Sequence, residues 1–167
     1  MTGVQTCALP IYIAVLGHSG CGKTNLIEAI AYTSNLTKMI PNLTDKTNMT
    51  YSMNLIPVEY DNYKFNLLDT PGYFDFVGEV ISSLRASDAA VIVIDAITPI
   101  QVGTEKSLEL TENIPKIMFI NKIDNEKARY KDAIAMLRDK YGSKVVPMII
   151  RSYDLASSAP YWGISSK

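Results

Sequence analysis

Apolar and polar positions along the chain alternate between short buried runs and amphipathic stretches. Ile11–Leu16 is an unbroken apolar run of strand length. Residues 26–31, Leu-Ile-Glu-Ala-Ile-Ala, read as a helix leading out of a Gly-rich turn. Residues 33–49 are polar, rich in Thr and Asn, and carry Pro41; they read as an irregular surface loop. Residues 51–60 alternate weakly and read as a strand, with Pro57 placing it near an edge or bulge. Asp61-Asn62 is a turn signal, and residues 63–68 complete a hairpin. Residues 73–85 read as a helix whose Val77, Val80, Ile81 and Leu84 form one apolar face. Ala89–Asp95 reads as a central parallel strand. Residues 103–113 read as a helix stopped by Pro115, and residues 116–120 as the next buried strand. An amphipathic helix follows over 125–140, with Ala133, Ile134 and Leu137 inward. A last apolar strand is expected over 145–150. Residues 151–167 read as coil, with Tyr161 and Trp162 as an aromatic pair in need of cover. Strands that alternate with helices predict an α/β fold with a mostly parallel sheet.

Composition narrows this picture. A chain of 167 residues, 47% hydrophobic and 20% charged, suits one globular domain. Its formal net charge of −1 offers no basic field for direct nucleic-acid binding. No apolar run has transmembrane length, so no membrane partner is expected. The two cysteines are Cys7 and Cys21; a disulfide at Cys21 would hinder the Gly-rich turn around it, which suggests a reducing cytoplasm. The single histidine, His18, excludes a His-based metal cluster. Residues 1–10 have no periodicity, no charge and none of the features of a signal peptide. Their GVQTCALPI stretch resembles a translated sequencing-adapter tail, so a non-native or loose tail is expected there.

Three polar segments interrupt the apolar runs, each behind a strand. The first is Gly17-His18-Ser19-Gly20-Cys21-Gly22-Lys23-Thr24, which fits G-x-x-x-x-G-K-[ST] at every fixed position. Its glycines let successive N–H groups turn toward phosphate oxygens. Lys23 supplies a cation for the outer phosphates, and the Thr24 hydroxyl is a ligand for Mg²⁺. The plainer reading is a Gly-rich turn without a ligand. The second is Asp69-Thr70-Pro71-Gly72: the carboxylate can hold Mg²⁺ through a water, and the Gly72 N–H can reach a γ-phosphate oxygen. Taken alone, it is also an ordinary turn. The third is Asn121-Lys122-Ile123-Asp124. A carboxylate at Asp124 can accept the N1–H and 2-amino protons that guanine offers and adenine lacks. Asn121 would brace the base and neighbouring loops, and the Lys122 stem would lie along the ring. The competing reading makes Asp124 a helix N-cap.

In that order the three segments identify a GTP-binding domain. The wording of LLDTPGYFDFVGEV, VGTEK and MFINKID resembles the GTPase domain of elongation factor G, especially its divergent elongation-factor-G-like paralogues. The resemblance runs from about Ile13 to Ile150 and covers the opening quarter or so of such a factor. It implies a P-loop GTPase fold with a doubly wound, mostly parallel sheet flanked by helices. It also implies GTP or GDP with Mg²⁺, a cytoplasmic location, and the ribosome as a partner engaged through domains absent here. Matched by motif, Lys23, Gly72 and Tyr73 take the catalytic positions; Thr24, Asp69 and Thr50 take the metal positions. Two residues depart from the family pattern. Tyr73 stands where a His orients the attacking water, and Gly20 stands where the phosphate loop has Asp. A tyrosine is a poor proton carrier near neutral pH, so slow hydrolysis is expected. The family's last guanine-contact loop, of S-A-x type, has no match before Lys167. The expected organisation is a tail over 1–10, an incomplete GTP-binding domain over 11–150, and coil or the start of an insertion over 151–167. The alternatives are a GTP/GDP-binding regulatory module with little hydrolysis, an adenine-nucleotide enzyme, and a fragment inactive by itself.

Overall fold

A computed structural model describes residues 9–34, 36, 52–147, 149–153 and 160–164. In chain order the elements are β1 Ile11–Leu16, α1 Lys23–Thr33, β2 Asn54–Tyr60, β3 Tyr63–Asp69, α2 Val77–Arg85 and β4 Ala89–Asp95. Then come α3 Val102–Leu110, β5 Lys116–Asn121, α4 Tyr130–Tyr141, β6 Ile149–Tyr153 and β7 Pro160–Ile164. Five strands form a sheet in the order β2-β3-β1-β4-β5. β1 pairs in parallel with β3 and β4, and β4 with β5; only β2 runs antiparallel, to β3. Pro57, which lacks a backbone donor, sits in edge strand β2. The β2–β3 turn is made by Asp61 (φ 48°) and Asn62 (φ 65°), residue types that tolerate left-handed backbone.

Alternation along the strands sends side chains to two faces. Val15, Leu67 and Val93 pack with Ile27 of α1 on one face. Ala14, Leu16 and Ala90 pack with Val80 and Leu84 of α2 on the other. On that second face Ile92 and Ile94 also meet Leu108 of α3 and Leu137 of α4. The result is a mostly parallel sheet wound on both sides by helices, as expected.

The register brings the functional segments together. Val15 of β1 lies beside Asp69 of β3, and Asp95 of β4 beside Asn121 of β5. The end of β1, the 69–72 turn and the turn after Asn121 therefore open at one carboxyl edge. This is where open α/β sheets place ligands.

Several expectations are corrected. Ile81 is 37% exposed, whereas Ser83 is fully buried and donates to the Glu79 carbonyl within α2. The inward face of α2 is thus centred on Val80, Ser83 and Leu84. A small hydroxyl can be buried in a helix once its proton is bonded to a carbonyl one turn back. Residues 125–129 are not helical. Asn125 accepts a bond from the Lys127 N–H through its side chain and from the Ala128 N–H through its carbonyl, which holds a turn and delays α4 to Tyr130. Asp124 is therefore not the N-cap of that helix; Arg129 holds that position. Strand β5 is buried on one face only. Met118 and Ile120 join the core, while Ile117 is 58% and Phe119 40% exposed. The expected strand over 145–150 starts only at Ile149, and the expected coil after it contains β7. β6 and β7 pair antiparallel with each other in a separate two-stranded sheet, Ile149 opposite Ile164. Partner choice between strands is non-local, so an apolar run cannot announce it. Thr50 and the 37–51 stretch lie outside the described residues, as do residues 1–8.

These burial differences set a stability contrast. Ile92→Ala should cost about 2–5 kcal/mol by denaturant unfolding, because it empties a fully closed site. Ile117→Ala should stay within about 0.5 kcal/mol.

Candidate functional site

The phosphate-loop segment leaves β1 at Gly17 and enters α1 at Lys23. Gly22 is the helix N-cap, at φ 95°, a left-handed backbone that favours glycine. Its α-carbon also lies so near the Asn121 amide that an added Cβ would overlap it. No acidic side chain occupies the first turn of α1, so the positive end of the helix dipole faces the loop. The Cys21 N–H donates to the His18 carbonyl at 3.3 Å, closing the turn.

Lys23 is buried, and its Nζ donates to the carbonyls of Gly17 and His18, each at 3.1 Å. The ammonium is thereby held over the loop. The next residue, Thr24, donates through Oγ1 to Oδ2 of buried Asp69 at 2.8 Å. This bond joins two segments that are far apart in sequence. Thr70 is fully buried, and its hydroxyl donates to the Val15 carbonyl at 2.7 Å, tying the end of β3 to β1. Pro71 is buried behind it. Gly72 lies against the loop: a Cβ there would fall 2.5 Å from Lys23 Nζ and 2.8 Å from the Ser19 N. Only a residue without a side chain allows that approach. Tyr73 is 39% exposed beside a small cleft of about 30 Å³ lined also by Gly17, Gly72, Gly103 and Lys106.

From β5, the Asn121 side-chain amide donates to the Cys21 carbonyl at 2.9 Å. The 121–124 segment and the Gly-rich loop are thus bonded to each other directly. Lys122 takes φ 60° and pairs through Nζ with Asp95 Oδ2 at 2.7 Å, while Asp95 Oδ1 accepts the Ile97 N–H at 2.9 Å. Ile123 is half-buried and Asp124 is exposed, both in the turn after β5. Ser19 is half-buried and Gly20 exposed at the crest of the loop.

Sequence reasoning missed two residues at this edge. Asp95 ends an apolar strand without a motif of its own, and its partner becomes visible only when β4 and β5 pair. Gly103 belongs to VGTEK, which carried the family likeness but no role. Among the described residues, no group of three or more His, Cys, Asp or Glu could hold a metal. No helix among them is long and apolar enough to cross a membrane.

Burial, and then the Lys23 ammonium, hold the His18 imidazole below its ordinary value of 6.5. Burial pushes the Cys21 thiol up, against a smaller downward pull from Lys23, so it stays a neutral packing group. For His18 the folded chain resists a proton that the unfolded chain accepts. The cost to folding is absent above pH 6.5, grows as pH falls below it, and levels off beneath the folded value. His18→Gln should therefore flatten part of the decline in thermal midpoint between roughly pH 7 and pH 5.

Comparison with known proteins agrees with this geometry. The family model described as elongation factor Tu GTP binding domain matches residues 10–165. An elongation factor G-like protein of Thermotoga maritima is 30% identical over 146 residues, 82% of this chain and 21% of its own length. A mitochondrial ribosome-releasing factor 2 of Scheffersomyces stipitis is 32% identical over 148 residues, 80% of this chain and 18% of its own. A crystal structure of a Thermus thermophilus protein superposes with a TM-score of 0.79 at 28% identity, covering 91% of this chain and 24% of that one. The chain spans about a fifth of the length of the curated relatives it matches. The phosphate-loop, Asp69 and Asn121 segments meeting at one sheet edge, together with a match over nearly the whole chain, show that it belongs to the elongation factor Tu GTP-binding domain family.

Proposed function

We propose that this domain binds GTP and hydrolyses it to GDP and phosphate, as the nucleotide-binding part of an elongation-factor-G-like factor that acts on the ribosome in the cytoplasm. The observation that carries the reading is the bonding of the three motif segments to one another. Thr24 bonds Asp69 at 2.8 Å, and Asn121 bonds the Cys21 carbonyl at 2.9 Å. Phosphate, switch and base-recognition groups are thereby held on one frame. The ribosome-linked role draws support from the names of the relatives, an elongation factor G-like protein and a ribosome-releasing factor. The nucleotide unit is assigned to residues 11–150, with residues 1–10 as a tail.

The phosphates would lie on the N–H groups of residues 17–24, with Lys23 meeting their charge. A divalent cation fits the donors present. The Thr24 hydroxyl and Asp69 carboxylate offer only hard oxygen ligands, and so small a set suits Mg²⁺ completed by phosphate oxygens and water. Thr50 is assigned to the same shell. When bound, the cation would neutralise charge on the phosphates. Gly72 would offer its N–H to the outermost phosphate, so loss of that phosphate frees the 69–73 segment to move. Asp124, exposed after β5, would accept the guanine donors, with Asn121, Lys122 and Ile123 shaping that side. The salt bridge to Asp95 fixes the Lys122 stem beside the base site.

Tyr73 sets the rate in this proposal. Its hydroxyl can orient a water but replaces the family's imidazole, so turnover by the isolated domain is slow. A regulatory module without hydrolysis is the second reading, and Tyr73 is the observation that favours it. Single-turnover assay separates the two: Tyr73→Phe should lower GTP hydrolysis by about tenfold, whereas a pure binding module shows no hydrolysis to lose. Lys23→Ala should weaken GDP binding by about 10- to 100-fold in a fluorescent-nucleotide titration, the scale of a lost charge-assisted bond. Asp124→Asn should reverse the preference from guanosine to xanthosine nucleotides by on the order of 100-fold in competition. Tighter binding of ADP than of GDP would remove Asp124 from the base site.

A further inference from the structure

We propose that Gly103, in the first turn of α3, is a positioning residue that seats the phosphate loop from behind. This inference rests on the nucleotide-binding reading above. Gly103 is buried, and a Cβ added to it would fall 2.7 Å from His18 Cα, 2.7 Å from His18 Nδ1 and 2.9 Å from His18 Cβ. Turning the imidazole relieves only one of these contacts. The other two lie at the backbone end of the residue, so the loop itself must move by several tenths of an ångström.

Movement of His18 does not stay local. Its carbonyl accepts both the Lys23 ammonium at 3.1 Å and the Cys21 N–H at 3.3 Å. A displaced His18 therefore carries the phosphate-binding cation and the turn with it. The loop has little room on its other side, because Gly72 already lies against Ser19 and Lys23. Nor is α3 free to yield. Leu108 is packed in the core with Leu137 of α4, and Glu105 pairs with Lys140 of the same helix. The loop is thus held between two glycines, Gly72 on the switch turn and Gly103 on α3, and both line one narrow cleft. Helix propensity argues against glycine at this position, since alanine is the better helix former. The close approach supplies the reason for glycine.

The test compares the wild-type chain with Gly103→Ala, Val102→Ala, His18→Gly and the Gly103→Ala/His18→Gly double variant. The readouts are GDP affinity by fluorescent-nucleotide titration and thermal midpoint without nucleotide. Gly103→Ala should weaken GDP binding by about tenfold or more with a thermal midpoint close to wild type. Val102 is 67% exposed, and its alanine variant should bind as wild type does. His18→Gly removes the Nδ1 and Cβ contacts and leaves only the one to Cα, on a residue whose backbone is freer to shift, so in that background the alanine at 103 should cost clearly less than it does in the wild-type chain. Gly103→Ala binding GDP as tightly as wild type would overturn the inference. So would an equal penalty in both backgrounds, which would make the effect independent of His18. Should Gly103→Ala fail to fold, the double variant must restore folding and the affinity of His18→Gly, or the inference falls. A wild-type chain that binds no GDP would defeat the nucleotide reading itself and this inference with it, a result distinct from the others.

Discussion

The ammonium of Lys23 is buried at the base of a tight loop, and the rest of the site is arranged around that fact. A buried cation is costly unless it is bonded. Here the carbonyls of Gly17 and His18 supply acceptors, and they can do so only while the loop keeps its curvature. That curvature rests on Gly22 in a left-handed conformation, on the bond from Asn121 to the Cys21 carbonyl, and on the nearby glycines of the switch turn and α3. A fixed cation at the N-terminus of α1, where the helix dipole is positive, is the kind of setting that suits an anion.

The sheet sets the frame of this arrangement. Parallel pairing sets the end of β1 beside the end of β3, with β4 running on to Asp95. Polar contacts then lock the edge: Thr70 to Val15, Thr24 to Asp69, and Lys122 to Asp95. Each bond joins segments that are remote in the chain, so a displacement in one is felt by its neighbour. The 69–72 turn lies against the 17–24 loop at Gly72.

Much of this was legible from local pattern. Ile11–Leu16 and Ala89–Asp95 keep the limits read from sequence, because both are continuous apolar runs in the middle of the sheet. The hairpin was legible from Asp61-Asn62 and the edge position of β2 from Pro57. The failures share a cause. The start of α4 depends on a turn that Asn125 and Lys122 make together. The inward face of α2 depends on where the sheet places it, which buried Ser83 in preference to Ile81. The half-exposure of β5 depends on which elements cover each face, and the pairing of β6 with β7 on which strand each one meets.

By itself the sequence determined the parts that are contiguous: the eight-residue phosphate loop, the Asp69-Thr70-Pro71-Gly72 turn, the Asn121-Lys122-Ile123-Asp124 segment, and the strands before them. Their chemistry lies in residue type and short spacing, which local reading captures. The tertiary structure alone decided what these parts touch. It gave Lys122 its partner Asp95, bonded Asn121 to the phosphate loop, and brought Gly103 against His18. Those contacts arise from parallel strand register and helix packing between residues distant in sequence, and such distances are set only when the whole sheet closes on its core.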